Sequence, residues 1–265
     1  MSGAKGIAVV TGASSGIGAV YADRLAERGY DLVLVARNAD KMADVAERIR
    51  AKTGRTVDLL PADLADPRHL AGVEAFLKTT PGITMLVNNA GLGGTAKLVD
   101  TDVDQMTSLI ALNVTALTRL TYAIVPQFIA RGAGTIVNIA SVVAISPETL
   151  NGVYGGSKAF VVALSQSLRA ELDGTGVNVQ VVLPGATATD FWAIAGRPVE
   201  HLPSEIVMSG EDLVDSALVD LDRGEFASIP SLHDGALFEA YETARQAMNG
   251  KLSTATPAPR YRDAA

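Results

Sequence analysis

The feature of this sequence that most limits its fold is a regular alternation between short apolar runs, rich in β-branched residues, and longer segments with helical periodicity. The apolar runs are continuous, which is typical of strands that are covered by helices on both faces of a sheet. Strands are predicted at residues 7–11, 31–35, 57–61, 85–88, 135–139, 177–183 and 227–229. Helices are predicted at residues 17–29, 39–53, 67–79, 101–131, 153–174 and 210–223.

This alternation predicts an α/β protein with a Rossmann-type fold, in which helices cover both faces of a doubly wound, seven-stranded parallel sheet. A closed barrel is the alternative architecture. Two regions lack clear periodicity: residues 186–209, which we predict to be a lid over a ligand site, and residues 252–265, which we predict to be a flexible C-terminal tail. The sequence shows no repeat and no linker, so residues 1–251 are predicted to form a single domain.

The composition of the chain argues against several kinds of partner. Of its 265 residues 48% are hydrophobic and 19% are charged, which suits a globular enzyme. A net charge of −7 gives no basis for binding nucleic acid or an anionic membrane. The chain has no cysteine, and its three histidines, His69, His201 and His233, share no metal-ligand spacing. We therefore expect no metal site.

The beginning of the chain runs directly into a predicted strand, without the apolar region and cleavage site of a secretory signal. No uninterrupted apolar run approaches the roughly 20 residues that span a bilayer. The sequence therefore predicts a cytoplasmic protein that does not bind membranes.

A glycine-rich turn, TGASSGIG at residues 11–18, joins the first predicted strand to the first predicted helix. Its first glycine permits a tight turn, its second lets the main chain approach a ligand closely, and its third lets the helix pack near the sheet. The start of the helix offers unpaired N–H groups to a pyrophosphate, while the two serines either donate hydroxyl hydrogen bonds or cap the helix. The predicted phosphate contacts are Gly12, Ser14, Ser15, Gly16, Ile17 and Gly18.

The end of the second strand carries a cation rather than a carboxylate. A carboxylate at this position accepts hydrogen bonds from an adenine ribose, whereas the guanidinium of Arg37 matches a phosphate. This substitution favours NADP(H) over NAD(H) as the cofactor. In the alternative interpretation, Arg37 is exposed and pairs with Asp40, and the cofactor is NAD(H).

A tyrosine and a lysine four residues apart predict a proton-transfer site. Tyr154 and Lys158 fall on one face of a predicted helix, and Ser141 follows a strand at the carboxyl edge of the sheet. A nearby ammonium group lowers the pKa of a phenol, so Tyr154 is predicted to exchange a proton with a carbonyl or alcohol oxygen. The hydroxyl of Ser141 is predicted to bind the same oxygen. In the alternative, Tyr154 and Lys158 form an ordinary surface pair.

Taken together, these motifs resemble the single-domain branch of the short-chain dehydrogenase/reductase family, over about residues 5–190. The matching stretches are residues 11–18, Asp63 with Leu64, residues 88–91, Asn113, Ser141, Tyr154 with Lys158, and Pro184 with Gly185. The resemblance implies that Tyr154 is the acid/base, that Ser141 positions the substrate oxygen and that Lys158 also binds the nicotinamide ribose. It further implies that Asn113 anchors a water-mediated proton relay.

The same resemblance implies the remaining cofactor contacts. They are Asp63, Leu64, Asn89, Ala90, Gly91, Pro184, Gly185, Thr187 and Thr189, together with Tyr154 and Lys158. The sequence departs from some NADP-preferring relatives at Ser15, where they carry a basic residue, so selectivity for the phosphate rests mainly on Arg37.

Residues 142–151, after Ser141, and residues 188–209 are predicted to form the substrate pocket. This pocket is mainly apolar and contains no arginine cluster, which favours an uncharged ketone, aldehyde or secondary alcohol. The predicted substrate contacts are Val143, Phe191 and Trp192. Helices at residues 101–131 and after Tyr154 carry additional apolar faces, and the resemblance suggests that such helices pair in a homodimer or homotetramer.

Three alternatives remain at this point. They are an NAD-dependent alcohol dehydrogenase, a regulator that binds NADPH without catalysis, and an epimerase or dehydratase on the same fold. One scaffold serves many substrates, so the sequence alone does not identify the substrate.

Overall fold

The computed structural model describes residues 5–261, and its sheet contains seven parallel strands in the order β3-β2-β1-β4-β5-β6-β7. The strands are β1 (Ile7–Thr11), β2 (Asp31–Ala36), β3 (Val57–Pro61), β4 (Ile83–Asn88), β5 (Gly134–Ile139), β6 (Val177–Val182) and β7 (Ala227–Ser228). The predicted doubly wound parallel sheet is therefore confirmed, and each predicted strand lies within two residues of an observed one at either end.

The order of the strands reverses between β1 and β4, which pair in parallel. In an open sheet of this kind, ligands bind at the carboxyl edge where the order reverses. Thr11 ends β1 and Asn88 ends β4, so the segments that follow these strands lie at this position. The topology thus places the glycine-rich turn beside residues 89–91.

Helices lie between the strands, where most of them cover a face of the sheet, and one further helix follows the last strand. They are α1 (Gly16–Glu27), α2 (Ala39–Thr53), α3 (Pro67–Thr79), α4 (Val103–Ile110), α5 (Leu117–Arg131), α6 (Gly152–Glu171), α7 (Phe191–Ile194), α8 (Gly210–Asp222) and α9 (Gly235–Gln246). A π-helical segment, Ala111–Ala116, joins α4 to α5. The sequence predicts α4, this segment and α5 as one helix, and it does not predict α7 or α9.

Two apolar clusters, one on each face, explain why the strands read as continuous apolar runs. In β1, Ala8 and Val10 pack in the cluster that contains residues of α1, α2 and α8. Val9, between them, packs in the cluster that contains residues of α3, α5 and α6. Successive side chains of a strand point to opposite faces, so a strand covered on both faces is apolar at every position.

By length and composition alone, the helical run Val103–Arg131 is apolar enough to cross a membrane. Its buried residues, which include Leu120, Ile124 and Phe128, pack in the second apolar cluster against the sheet. The buried side of this run therefore belongs to the core, while Val103, Ile110, Tyr122 and Ile129 are exposed.

The chain divides into two compact units, Met1–Ser231 and Leu232–Ala265. The first contains the sheet. In the second, α9 carries a stacked pair of rings, Phe238 and Tyr241, whose centroids are 6.0 Å apart. The predicted domain limits, 1–251 with a tail at 252–265, remain a prediction, and residues 1–4 and 262–265 lie outside the described part of the chain.

Candidate active site

The glycine-rich turn between β1 and α1 forms a cradle that has no room for side chains at two of its glycines. Gly12 and Gly16 have positive φ angles, 67° and 55°. A Cβ on Gly12 would lie 2.7 Å from the Asn89 amide nitrogen, and a Cβ on Gly18 would overlap both that nitrogen and the Gly12 carbonyl oxygen. Ser15 precedes α1 in an extended conformation without a side-chain capping hydrogen bond. The N–H groups at the start of α1 therefore have no side-chain cap, an arrangement that fits a phosphate.

The end of β4 holds this turn in place through a buried threonine. The hydroxyl of Thr11 accepts hydrogen bonds from the backbone nitrogens of Asn89, at 2.9 Å, and Ala90, at 3.0 Å. In return, the Asn89 side-chain nitrogen donates to the Thr11 carbonyl oxygen at 2.9 Å. Asn89, predicted as a cofactor contact, thus supports the cradle. Sequence reasoning did not single out Thr11, although a polar residue at the end of an apolar strand is a signal for such a role.

Arg37, Asp63 and Leu64 follow the neighbouring strands β2 and β3 at the same edge of the sheet. Arg37 is exposed, and in the part of the chain that the structure describes it forms no ion pair with Asp40 or any other carboxylate. One carboxylate oxygen of Asp63 accepts from the Ala65 backbone nitrogen at 3.0 Å, while Leu64 is buried. This edge thus carries an exposed guanidinium beside a carboxylate that is held by the backbone, at the place where the sequence predicts the adenosine half of the cofactor.

Tyr154 and Lys158 lie on one face of α6, and both are buried. The Lys158 ammonium nitrogen is 5.9 Å from the centroid of the Tyr154 ring and donates a hydrogen bond to the Ile139 carbonyl oxygen at 2.9 Å. Burial lowers the pKa of Lys158 to about 8. The ammonium is therefore held beside the phenol by the end of β5.

Burial raises the pKa of Tyr154 to about 12, and a hydrogen bond with the Ser141 hydroxyl lowers that pKa only in part. The prediction that Lys158 brings the pKa of Tyr154 below its usual value is therefore wrong for this state, because desolvation of the phenolate is the larger effect. The Ser141 hydroxyl also donates to the Pro184 carbonyl oxygen at 3.4 Å and accepts from the Val143 nitrogen at 3.4 Å. Tyr154 is thus a protonated phenol at neutral pH.

Asn113 lies in the π-helical segment, and its side chain is fully hydrogen-bonded. Its oxygen accepts from the Leu92 nitrogen at 2.8 Å, and its nitrogen donates to the Leu92 carbonyl oxygen at 2.9 Å and to the Ser157 hydroxyl at 3.0 Å. A Cβ on Gly91 would be 3.2 Å from the Asn113 oxygen and 3.5 Å from the Lys158 ammonium. The Asn113 oxygen and the Lys158 ammonium therefore lie on the same side of Gly91. Wide π turns of this kind often occur at functional sites.

A chain of buried polar side chains connects the central strands to α5 and α6. The Asn88 nitrogen donates to Thr121 at 3.1 Å and to the Asn138 oxygen at 3.0 Å, and the Asn138 nitrogen donates to the Ser165 hydroxyl at 2.9 Å. These contacts, which start from Asn88, stabilise the junction of β4, β5 and α6. The sequence analysis missed the other three, whose signal is polar side chains at otherwise apolar positions.

The predicted lid, residues 186–209, is a loop whose two ends pair with each other. The Ala188 nitrogen donates to the Met208 carbonyl oxygen, and the Met208 nitrogen donates to the Ala186 carbonyl oxygen, both at 2.9 Å. Thr187 and Met208 form the corresponding parallel bridge. We call residues 186–209 the lid segment. The lid segment begins directly after Gly185, where a Cβ would lie 2.9 Å from the Ser231 hydroxyl oxygen.

The lid segment reaches the glycine-rich cradle and the start of α2. A Cβ on Gly16 would be 3.2 Å from the methyl carbon of Thr189, so Thr189 lies on the predicted phosphate site. The next residue, Asp190, forms an exposed ion pair with Lys41 of α2, with 3.4 Å between the ammonium nitrogen and a carboxylate oxygen. Thr189 is therefore in position to contact a bound dinucleotide.

Phe191 and Val143 lie beside the Tyr154 phenol. The rings of Phe191 and Tyr154 have centroids 5.7 Å apart, and a Cβ on Gly93 would overlap the Phe191 ring. Val143 is buried in one apolar cluster with Tyr154 and Leu109. The space beside the phenol is therefore bounded by apolar side chains.

Trp192 occupies a different position from its neighbour Phe191. It is buried, its indole nitrogen donates to the Thr187 carbonyl oxygen at 2.9 Å, and its ring meets that of Phe191 edge-on at 5.6 Å. These contacts make Trp192 an anchor within the lid segment, behind Phe191. Its predicted contact with substrate remains a prediction.

Comparison with known proteins identifies a matching family and relatives of this chain. Residues 6–197 match the family model described as short chain dehydrogenase. A curated relative, sulfoacetaldehyde reductase 2 of Chromohalobacter salexigens, is 36% identical over 70% of this chain and 74% of its own length.

Two solved structures are similar over nearly their whole length. A short-chain dehydrogenase from Sphingobium yanoikuyae in complex with NADPH is 47% identical, with a TM-score of 0.94 and coverage of 97% of this chain and 100% of that chain. A bulky-bulky ketone specific alcohol dehydrogenase from Comamonas testosteroni is 42% identical, with a TM-score of 0.89 and coverage of 97% and 98%.

Proposed function

Because this chain belongs to the short-chain dehydrogenase family of oxidoreductases, which act on alcohol and carbonyl groups, we propose that it uses NADP(H) to reduce a small, mainly apolar ketone or aldehyde, or to oxidise the matching secondary alcohol. One observation carries this proposal. A protonated phenol, Tyr154, interacts with the Ser141 hydroxyl, has the Lys158 ammonium 5.9 Å from its ring and lies at the carboxyl edge of the sheet. That group can deliver one proton to a carbonyl oxygen.

The choice of NADP(H) rests on charge at the adenosine end of the site. Arg37 is an exposed guanidinium beyond β2, and a guanidinium binds a phosphate with paired, charge-assisted hydrogen bonds. The related protein from Sphingobium yanoikuyae was solved with NADPH, at 47% identity to this chain. The glycine-rich turn supports the same cofactor: a Cβ at Gly12 or Gly18 would clash with Asn89, so only glycine permits the tight turn that leaves the start of α1 open to a pyrophosphate.

In the proposed reduction, the residues of this chain hold the carbonyl group and supply its proton. NADPH, when bound, supplies the hydride that forms the new C–H bond. The electron pair of the carbonyl π bond moves to oxygen, and that oxygen takes the phenolic proton of Tyr154. The Ser141 hydroxyl donates to the same oxygen and keeps it in line with the phenol. The Lys158 ammonium then stabilises the phenolate until solvent returns a proton.

The apolar surroundings of Tyr154 support an apolar substrate. Val143 and Leu109 are buried with Tyr154 in one apolar cluster, and Phe191 packs against that cluster beside the phenol. The related enzyme from Comamonas testosteroni is described as specific for bulky-bulky ketones. We propose a ketone with an apolar group on each side of the carbonyl as the substrate class for this chain.

We propose that the protein works in the cytoplasm as a homodimer or homotetramer, with a small molecule as its only partner besides the cofactor. Support for an oligomer comes from large apolar side chains exposed on α4, α5 and α6: Val103, Ile110, Tyr122, Ile129 and Phe160. Exposed apolar side chains grouped on neighbouring helices indicate a protein interface. Light scattering after size-exclusion chromatography measures the assembly directly.

The experiment that tests the function is oxidation of NADPH and NADH by the purified protein with a series of ketones and aldehydes. Tyr154→Phe is the matched control, because it removes only the phenolic hydroxyl. We expect turnover with NADPH in the wild type and a loss of at least about a hundredfold in the variant, as expected of a general acid. Equal turnover by both proteins would contradict the role of Tyr154. Tight binding of NADPH without turnover of any substrate in the series would favour the alternative in which the protein is a regulator that binds NADPH without catalysis.

A further inference from the structure

Residues 92–96, which we call the bridging segment, run between the lid segment and the catalytic helix α6. Two of its residues face the lid segment. At Gly93 a Cβ would overlap the ring of Phe191, and the Thr95 hydroxyl donates a hydrogen bond to the Ala195 carbonyl oxygen at 2.5 Å. These contacts lie two residues apart along the bridging segment.

The residues between and after these two contact Asn151 instead. The Asn151 backbone nitrogen donates to the Gly94 carbonyl oxygen at 3.3 Å, and its side-chain nitrogen donates to the Ala96 carbonyl oxygen at 2.9 Å. The contacts thus alternate, with residues 93 and 95 held by the lid segment and residues 94 and 96 held by Asn151.

Asn151 is also the residue that starts the catalytic helix. Its side-chain oxygen accepts hydrogen bonds from the backbone nitrogens of Val153, at 2.9 Å, and Tyr154, at 3.4 Å. The side chain is buried, and both its donor and its acceptor are in use. An ordinary helix cap needs only an acceptor, which serine or aspartate also supplies. The donor to Ala96 is an additional function that serine is too short to reproduce.

We propose that Asn151 is a positioning residue for Tyr154, which ties the backbone of the catalytic tyrosine to the bridging segment and, through Gly93 and Thr95, to the lid segment. The proposal rests on the proposed function, since it assigns Tyr154 as the acid. A rigid connection of this kind fixes the position of Phe191 relative to Tyr154. The rate of proton and hydride transfer is sensitive to displacements of about 1 Å, so a looser connection lowers kcat.

Two substitutions separate this role from helix capping. Asn151→Ser keeps a neutral acceptor for the start of α6 and removes the donor to Ala96, whereas Asn151→Ala removes both. Asn38→Ser is the matched control for stability, because Asn38 caps α2 through one acceptor bond to the Lys41 nitrogen. Thr95→Val removes only the bond to Ala195 and tests the connection to the lid segment.

The first measurement is amide hydrogen exchange on the protein without added cofactor. We expect Asn151→Ser to speed exchange in residues 92–97 and in the first turn of α6, and Thr95→Val to speed exchange in residues 92–97 and in the lid segment. Unchanged exchange in residues 92–97 of Asn151→Ser would overturn the proposal, whether or not the protein is a reductase. This outcome is independent of the proposed function.

The second measurement is steady-state kinetics with NADPH binding followed by fluorescence. We expect kcat of Asn151→Ser to fall by about tenfold or more, with the Kd for NADPH within about twofold of wild type and a thermal stability change similar to that of Asn38→Ser. Wild-type kcat in Asn151→Ser would overturn the proposal. A wild-type protein without turnover would instead contradict the proposed function, and the exchange measurement would still decide whether Asn151 connects the two segments.

Discussion

The ring of Phe191 lies 5.7 Å from the ring of Tyr154, inclined at 46°, and fills the space that any side chain at residue 93 would require. The Tyr154 phenol, which we propose supplies the proton, is therefore bounded by a residue of the lid segment. Because Phe191 is carried by the short helix α7, changes in the lid segment alter the apolar space beside Tyr154.

Replacing Phe191 by alanine should change the preference for substrates. The variant loses an apolar contact worth about 1.5–3 kcal/mol, so kcat/KM for a small ketone should fall by about tenfold or more. A ketone with bulky groups on both sides should lose less, because the space left by the ring accommodates it. The measurement is the ratio of kcat/KM for the two ketones. An equal loss for both would show that Phe191 does not border the substrate.

Gly93→Ala and Gly156→Ala should have opposite effects on stability. A Cβ at residue 93 would overlap the Phe191 ring, and relieving such an overlap costs about 1–3 kcal/mol. At Gly156, exposed on α6, nothing lies within 4 Å of the added Cβ, so alanine should stabilise the helix by about 0.5–1 kcal/mol. Thermal unfolding measures both changes. Equal Tm values for the two variants would contradict the packing of Phe191 on Gly93.

Arg37→Gln should weaken NADPH binding and leave NADH binding nearly unchanged. A hydrogen bond to a charged group contributes about 1.5–3 kcal/mol, which corresponds to an increase of about ten- to a hundredfold in the Kd for NADPH. Fluorescence titration with each cofactor gives the two constants. If both constants rise by the same factor, Arg37 does not recognise the phosphate, and the interpretation in favour of NAD(H) gains support.

The buried ammonium of Lys158 should make stability depend on pH. Its pKa in the folded protein is about 8, against a usual value of 10.5, so between these pH values the unfolded chain binds more protons than the folded one. The free energy of unfolding should therefore rise with pH over this range, by on the order of 1–3 kcal/mol. Burial raises the pKa values of Tyr21 and Tyr154, which oppose this trend above pH 10.

Lys158→Met is the control for this pH dependence. Denaturant unfolding of both proteins between pH 8 and pH 10 should give a free energy that rises in the wild type and stays nearly level in the variant. Parallel curves would mean that another group is responsible. The same lysine predicts that reductase kcat falls as pH rises through about 8, since the neutral amine no longer stabilises the phenolate.

The strands could be predicted because they are covered on both faces, which makes each of them a short continuous apolar run. The glycine cradle could be predicted because only glycine fits where a neighbouring backbone or amide comes within 3 Å. Both are local consequences of packing, and local consequences leave a pattern in the sequence.

The rest of the site depends on contacts between distant residues. Asn113, in the π-helical segment, is held by bonds to Leu92 and Ser157, and the second contact of Asn151 depends on the approach of Ala96. The pKa of Tyr154 is decided by burial, which spacing along a helix does not reveal. The position of Trp192 in an apolar lid predicts a contact with substrate, and the sequence does not reveal that its indole nitrogen donates a hydrogen bond to the Thr187 carbonyl oxygen.

The lid segment begins and ends at one place, where Ala186 and Ala188 exchange hydrogen bonds with Met208. Residues inserted or deleted between Ala188 and Met208 leave the paired ends of the loop in place, so the register of the sheet is unaffected. A loop closed at its base in this way can differ in length and sequence between relatives while the sheet keeps its register, which allows new substrate preferences to arise on one scaffold. For an engineer, the same two junctions are the sites at which to splice loops from relatives.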